Sequence, residues 1–213
     1  MLKNKKLSIL GDSISTYVGI SNDGGANLSI EYNPCFYRPP FPQEKTYWML
    51  ACEALGLTIC VNNSWSGGNL SGRHIPAAGV NRAEFLDNVN GDKPDLVIVF
   101  MGMNDLGRGV PVDVFAADYE MALATIKKNN PEARICCVNM PDRAPEVKAR
   151  TIEFNKAIDT AVKKTEGGFI ADLFSSRLNN DGYYMNTVDG LHPDEDGMRI
   201  IAEVVIGAIR ENI

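Results

Sequence analysis

Five short apolar runs alternate with longer stretches whose apolar residues recur at helical spacing. Leu96 to Met101 is unbroken, which suits a strand buried on both faces. Lys6 to Leu10, Leu57 to Val61, Arg134 to Asn139 and Gly168 to Leu173 predict four more strands. Thr46 to Leu55 places Tyr47, Trp48, Leu50, Ala51, Ala54 and Leu55 at helical spacing, with Gly56 as a stop. Arg82 to Val89 predicts a short helix. Val112 to Asn129 has Phe115, Tyr119, Ala122, Leu123 and Ile126 on one side. Glu146 to Lys164 and Asp194 to Arg210 are the remaining helices; the last carries Met198, Ile201, Val204, Val205 and Ile209 in register. Such alternation makes right-handed crossovers and a parallel sheet with helices on both faces.

One segment breaks the rhythm. Ile20 to Lys45 holds four prolines together with Tyr32, Phe36, Tyr37, Arg38 and Phe41. Loops this long are usually functional or disordered; the large side chains favour an ordered flap or a wall of a substrate site. No repeat or hinge appears, so 1–213 reads as one domain with a loop inserted at about 20–45.

Apolar residues at 45% and charged residues at 23% fit a globular chain. The net charge of -6 argues against a nucleic-acid partner, which draws on clustered Lys and Arg. Gly11 and Asp12 interrupt the first apolar run too early for a secretory signal, and no window is long enough for a membrane span. A cytoplasmic location without stable membrane insertion is the expectation. Five cysteines, an odd number without metal spacing, fit a reducing compartment, and Cys60, Cys136 and Cys137 read as buried hydrophobes. Only two histidines are present, which disfavours a His-rich metal centre. The sequence favours no oligomeric state.

In an open parallel sheet, ligands sit beyond the carboxyl ends of the strands. There the chain carries Gly11-Asp12-Ser13, then Asn63 to Asn69, then Gly102 to Asp105. Asp189-Gly190-Leu191-His192 follows near the end. A serine needs a base to take its proton, an imidazole suits that task, and a carboxylate orients the imidazole. Attack on an ester also makes an oxyanion, which needs N–H donors. Ser13, Gly67 and Asn104 could supply them. Gly102 suits a positive φ, and Asp12 and Asp105 suit turn-holding hydrogen bonds.

These four blocks, in this order, resemble those of the SGNH hydrolases, also called the GDSL lipase/acylhydrolase family. The resemblance implies a flavodoxin-like three-layer α/β/α fold with a five-stranded parallel sheet. It implies a serine esterase without metal or organic cofactor. It further implies a triad of Ser13, Asp189 and His192, and an oxyanion hole of Ser13, Gly67 and Asn104. Ile14 replaces the family's usual leucine. Gly67 and Gly68 are adjacent, so the glycine is ambiguous by one position; Gly67 is favoured.

For substrate, the chain suggests a small-molecule ester with a short acyl group, such as acetylated carbohydrate. Tyr37, Trp65, Asn69 and Arg73 are the candidate contacts, with Tyr32 beside them. Lysophospholipase or thioesterase activity is the alternative. Arg73 and Arg108 could meet an anionic group or serve only as solvated charges, and His74 lacks a carboxylate neighbour in the sequence. A non-catalytic binder would lack a triad or oxyanion group. A phosphate binder would not place Asp12 after the first strand.

Overall fold

The computed structural model describes residues 2–17, 39–88, 90–142, 144–180 and 186–213. Five strands form one parallel sheet: β1 (Lys6–Gly11), β2 (Thr58–Ser64), β3 (Leu96–Phe100), β4 (Arg134–Val138) and β5 (Gly168–Ala171). Their spatial order is β2-β1-β3-β4-β5. The order reverses between β1 and β3, where open sheets of this kind leave a crevice.

The helices are α1 (Tyr47–Leu55), α2 (Gly79–Arg82), α3 (Met103–Gly107), α4 (Val112–Asn129), α5 (Lys148–Lys163), α6 (Arg177–Asn180) and α7 (Glu195–Asn212). The α1 and α7 helices pack on each other, as do α4 and α5, so helices cover both sides of the sheet. Leu7, Ile9, Val97, Ile98, Val99 and Ile135 are fully enclosed between these layers. Each contributes about 1.5–3 kcal/mol by burial.

Three of the differences from the sequence reading bear on the site. The β2 strand continues past Val61 through Asn62, Asn63 and Ser64, all buried. Partners in neighbouring loops offset the burial of these polar side chains. Asn62 Nδ2 donates to the Ser15 carbonyl at 2.9 Å, and Ser64 Oγ donates to Asn62 Oδ1 at 2.6 Å.

The helix predicted from Arg82 instead ends there, as α2. Asn63 Nδ2 takes the carbonyls of Arg82 and Phe85, and Ser8 Oγ takes that of Leu86. Those carbonyls therefore serve the sheet and do not propagate a helix. The third difference is α3, which follows β3 at once.

Of the inserted loop, residues 39–45 are described. Phe41 is buried in the core, and a 3-10 turn spans Gln43–Lys45. Tyr32, Phe36, Tyr37 and Arg38 lie outside the described residues. No described helix is long and apolar enough to cross a membrane.

Candidate active site

Gly11 ends β1 where nothing larger fits. A Cβ there would lie 2.5 Å from Ser15 Cβ and 2.6 Å from Ser64 Oγ. The chain then turns tightly. The Ser15 N–H donates to the Asp12 carbonyl at 3.1 Å, and the Ile14 N–H to Asp12 Oδ1 at 3.0 Å. Thr16 Oγ1 closes the turn on the Ser13 carbonyl at 2.9 Å. Ser13 is left 6% exposed, with its Oγ 2.9 Å from His192 Nε2.

The imidazole is held from its other side. His192 Nδ1 lies 2.7 Å from Asp189 Oδ2. Asp189 Oδ1 accepts the backbone N–H groups of Leu191 at 3.0 Å and His192 at 2.7 Å. Partial burial alone would raise the Asp189 carboxyl, but these hydrogen bonds and the imidazole hold it below the ordinary range. The turn is closed by a bridge between Thr187 and Pro193. It runs directly into α7, whose first turn Asp194 caps by accepting from the Gly197 N–H at 2.8 Å.

The glycine block and Asn104 complete the constellation. The Gly68 N–H donates to the Trp65 carbonyl at 2.9 Å, whereas the N–H groups of Gly67 and Ser13 have no partner among the described residues. This distribution favours Gly67 over Gly68 as an open donor. Gly102, at φ 126°, turns β3 into α3. A Cβ there would also lie 2.9 Å from Met140 Sδ. Asn104 stands on α3 beside Ser13, but its amide is engaged. Nδ2 donates to the Gly68 carbonyl at 3.0 Å and to Asp12 Oδ2 at 3.2 Å. The longer of these two bonds points back under the serine turn.

The sequence of the GDSL-like Lipase/Acylhydrolase family matches residues 9–200. The chain belongs to this family. No curated protein matches it. Solved structures with the same fold include a GDSL-like lipase from Bacteroides uniformis. It is 23% identical, with 98% of this chain and 96% of that chain covered, at TM-score 0.73. A second, from Bacteroides ovatus, is 20% identical, with 98% and 99% covered, at TM-score 0.74. The psychrotrophic esterase EstA from Pseudoalteromonas sp., inhibited by monoethylphosphonate, is 18% identical, with 98% of each chain covered, at TM-score 0.66.

Within this GDSL-family chain, Ser13 and the glycine block each border a cavity. One, of about 210 Å³, is lined by Ser13, Ile14, Met103, Asn104, Arg108 and Leu191 among others. The second, of about 290 Å³, is lined by Trp65, Gly67, Asn69, Ile75, Ala78 and Arg108 among others. Trp65 and Asn69 thus line the second cavity beside the glycine block. Arg73 does not join them. Its Nε donates to Asp118 Oδ1 at 2.5 Å, and it lines a separate cavity with the exposed His74. Tyr37 lies outside the described residues. No cluster of three or more metal-ligating side chains occurs among the described residues.

One organising residue escaped the sequence reading. Arg82 is wholly buried. Its Nη2 donates to the Gly11 carbonyl at 3.0 Å, its Nε to the Ala77 carbonyl at 2.8 Å, and its Nη1 to the Asn63 carbonyl. It therefore ties the ends of β1 and β2 to the segment after the glycine block. Burial lowers its pKa to about 10 against the opposing pull of Asp12. Burial likewise raises Asp12 to about 7, opposed by the Ile14 N–H and by Arg82. Asp105 holds the glycine segment as anticipated, accepting from the Leu70 and Ser71 N–H groups at 2.7 and 2.8 Å. The only sequence signal for Arg82 was a lone arginine among small and apolar residues.

Proposed function

We propose that this protein hydrolyses short-chain carboxylic esters through an acyl-enzyme formed on Ser13. The observation that carries the reading is the hydrogen-bonded row from Ser13 Oγ through His192 to Asp189, at 2.9 and 2.7 Å. Ser13 Oγ attacks the ester carbonyl while His192 Nε2 takes its proton. The leaving alcohol departs with that proton. A water then gives its own proton to Nε2 and its oxygen to the acyl carbon. Collapse of that second adduct releases the acid and returns a proton to Ser13 Oγ.

Asp189 stabilises the charged imidazole and keeps Nε2 aimed at the serine. The open N–H groups of Ser13 and Gly67 receive the oxyanion. Asn104 joins them by turning its amide from Asp12 Oδ2 toward the developing charge.

The two cavities, about 210 and 290 Å³, share Arg108 and are of small-molecule size. Trp65 and Asn69 supply an amphipathic wall suited to a sugar ring. The phosphonate-inhibited esterase among the structural neighbours fits the same serine chemistry.

A chain-length series of p-nitrophenyl esters tests the reading. Acetate and butyrate are expected to be the best substrates, and Ser13→Ala to lower kcat/KM by about 10⁵-fold or more. A preference for octanoate or longer esters would favour lysophospholipase or thioesterase activity. An unchanged rate in Ser13→Ala would remove the nucleophile assignment.

A further inference from the structure

Arg108 is the described side chain that lines both the cavity at Ser13 and the cavity at the glycine block. Its Nη1 donates to the Gly67 carbonyl at 2.7 Å and to Asn69 Oδ1. Its Nη2 lies 3.5 Å from the place of a Cβ on Gly67. On the other side of the same glycine pair, Arg82 Nη2 lies 3.3 Å from the place of a Cβ on Gly68. Two guanidinium groups therefore flank the segment that offers the open N–H.

Among the described residues, the carboxylates nearby are committed elsewhere. Asp189 serves His192, Asp105 accepts the Leu70 and Ser71 N–H groups, and Asp12 lies buried beneath the serine turn. No carboxylate among the described residues forms an ion pair with Arg108. Arg108 is exposed to solvent and its described partners are two neutral oxygens, so no described carboxylate neutralises its charge.

Geometry also says which part of a substrate meets it. The leaving alcohol must stay near His192, which returns the proton to it. The larger cavity contains no residue of the 189–192 turn, so the acyl group takes that side.

We propose that Arg108 selects esters whose short acyl chain ends in a carboxylate. The inference rests on the ester-hydrolase reading above and specifies its substrate class. A planar guanidinium already anchored at one nitrogen loses little freedom on pairing with a carboxylate. A charge-assisted pair of this kind favours the anionic substrate by roughly tenfold or more.

The experiment compares kcat/KM for mono-p-nitrophenyl succinate and p-nitrophenyl butyrate, which have acyl groups of equal length. The parent enzyme is expected to prefer the succinate at least tenfold. Arg108→Gln is expected to erase that preference, and Arg108→Lys to keep part of it. Because Arg108 also braces Gly67, its loss slows both substrates; the ratio isolates charge recognition. A parent that prefers butyrate overturns the proposal, as does an Arg108→Gln variant with an unchanged ratio. The second result would leave Arg108 as a brace of the loop. A parent inactive on both esters would instead remove the ester-hydrolase reading itself.

Discussion

Ser13 and His192 meet at 2.9 Å but reach that point from different kinds of structure. Ser13 rests on buried ground. Gly11, Asp12, Ser15, Asn63 and Ser64 around it are enclosed, and Arg82 joins them from 71 positions along the chain. His192 sits on a turn whose described backbone hydrogen bonds run between residues 186 and 194, and the Asp189 side chain is 47% exposed. The serine is thus fixed by long-range core contacts, whereas the imidazole is fixed by a local carboxylate and by the start of α7. Damage to the serine side should cost stability as well as rate. Damage to the histidine side should cost rate with the fold retained.

Asp189→Asn breaks the surface half most sharply. Asn keeps an acceptor for the Leu191 and His192 N–H groups but loses the charge on the imidazole. A fall in kcat of about 10³-fold is expected, somewhat less than for a fully enclosed triad carboxylate. Thermal unfolding should be nearly unchanged. A loss of several degrees in Tm would show that the local turn supports the core after all.

Asn104→Ala probes the boundary between the halves. Its amide bridges Gly68 and Asp12 at rest, so the variant removes a donor from the proposed oxyanion hole and an anchor from the loop. Steady-state kinetics should show kcat lowered about 100-fold or more with KM little changed. An effect confined to KM would place Asn104 in substrate binding alone.

Asp12→Asn sharpens the buried half through pH. Burial raises the Asp12 carboxyl from 3.8 to about 7. Between these values the folded protein keeps a proton that the unfolded chain has released. Rising pH therefore weakens the fold from about 4 to about 7, and the effect levels off above that. The contribution is at most about 4 kcal/mol. Asp12→Asn removes it, so stability relative to the parent should rise across that window in urea titrations. A constant difference between the two proteins from pH 4 to 7 would mean that Asp12 is charged throughout.

The same contrast explains what was legible in the sequence. The buried strands announced themselves because Leu96 to Met101 is apolar without interruption and its counterparts are short, mainly apolar runs. Asp189 and His192 were also legible, since the carboxylate and the imidazole it holds lie within four residues. The buried side was harder. Asn62 to Ser64 look like loop residues until their partners on Ser15, Arg82 and Phe85 are known. Five residues are too few for α3 to display a helical period. Arg73 read as either a substrate contact or a solvated charge, because its partner Asp118 lies 45 positions away. Arg82 ties three segments through their carbonyl groups, which leave no mark on side-chain pattern.

The most direct test of the shared claim, that the two halves form one nucleophilic centre, is labelling with a fluorophosphonate followed by peptide mass mapping. One adduct per chain is expected, on Ser13, with labelling greatly slowed in His192→Ala and absent in Ser13→Ala. Labelling of Ser13→Ala at the parent rate, or a parent protein that takes up no label, would contradict the account.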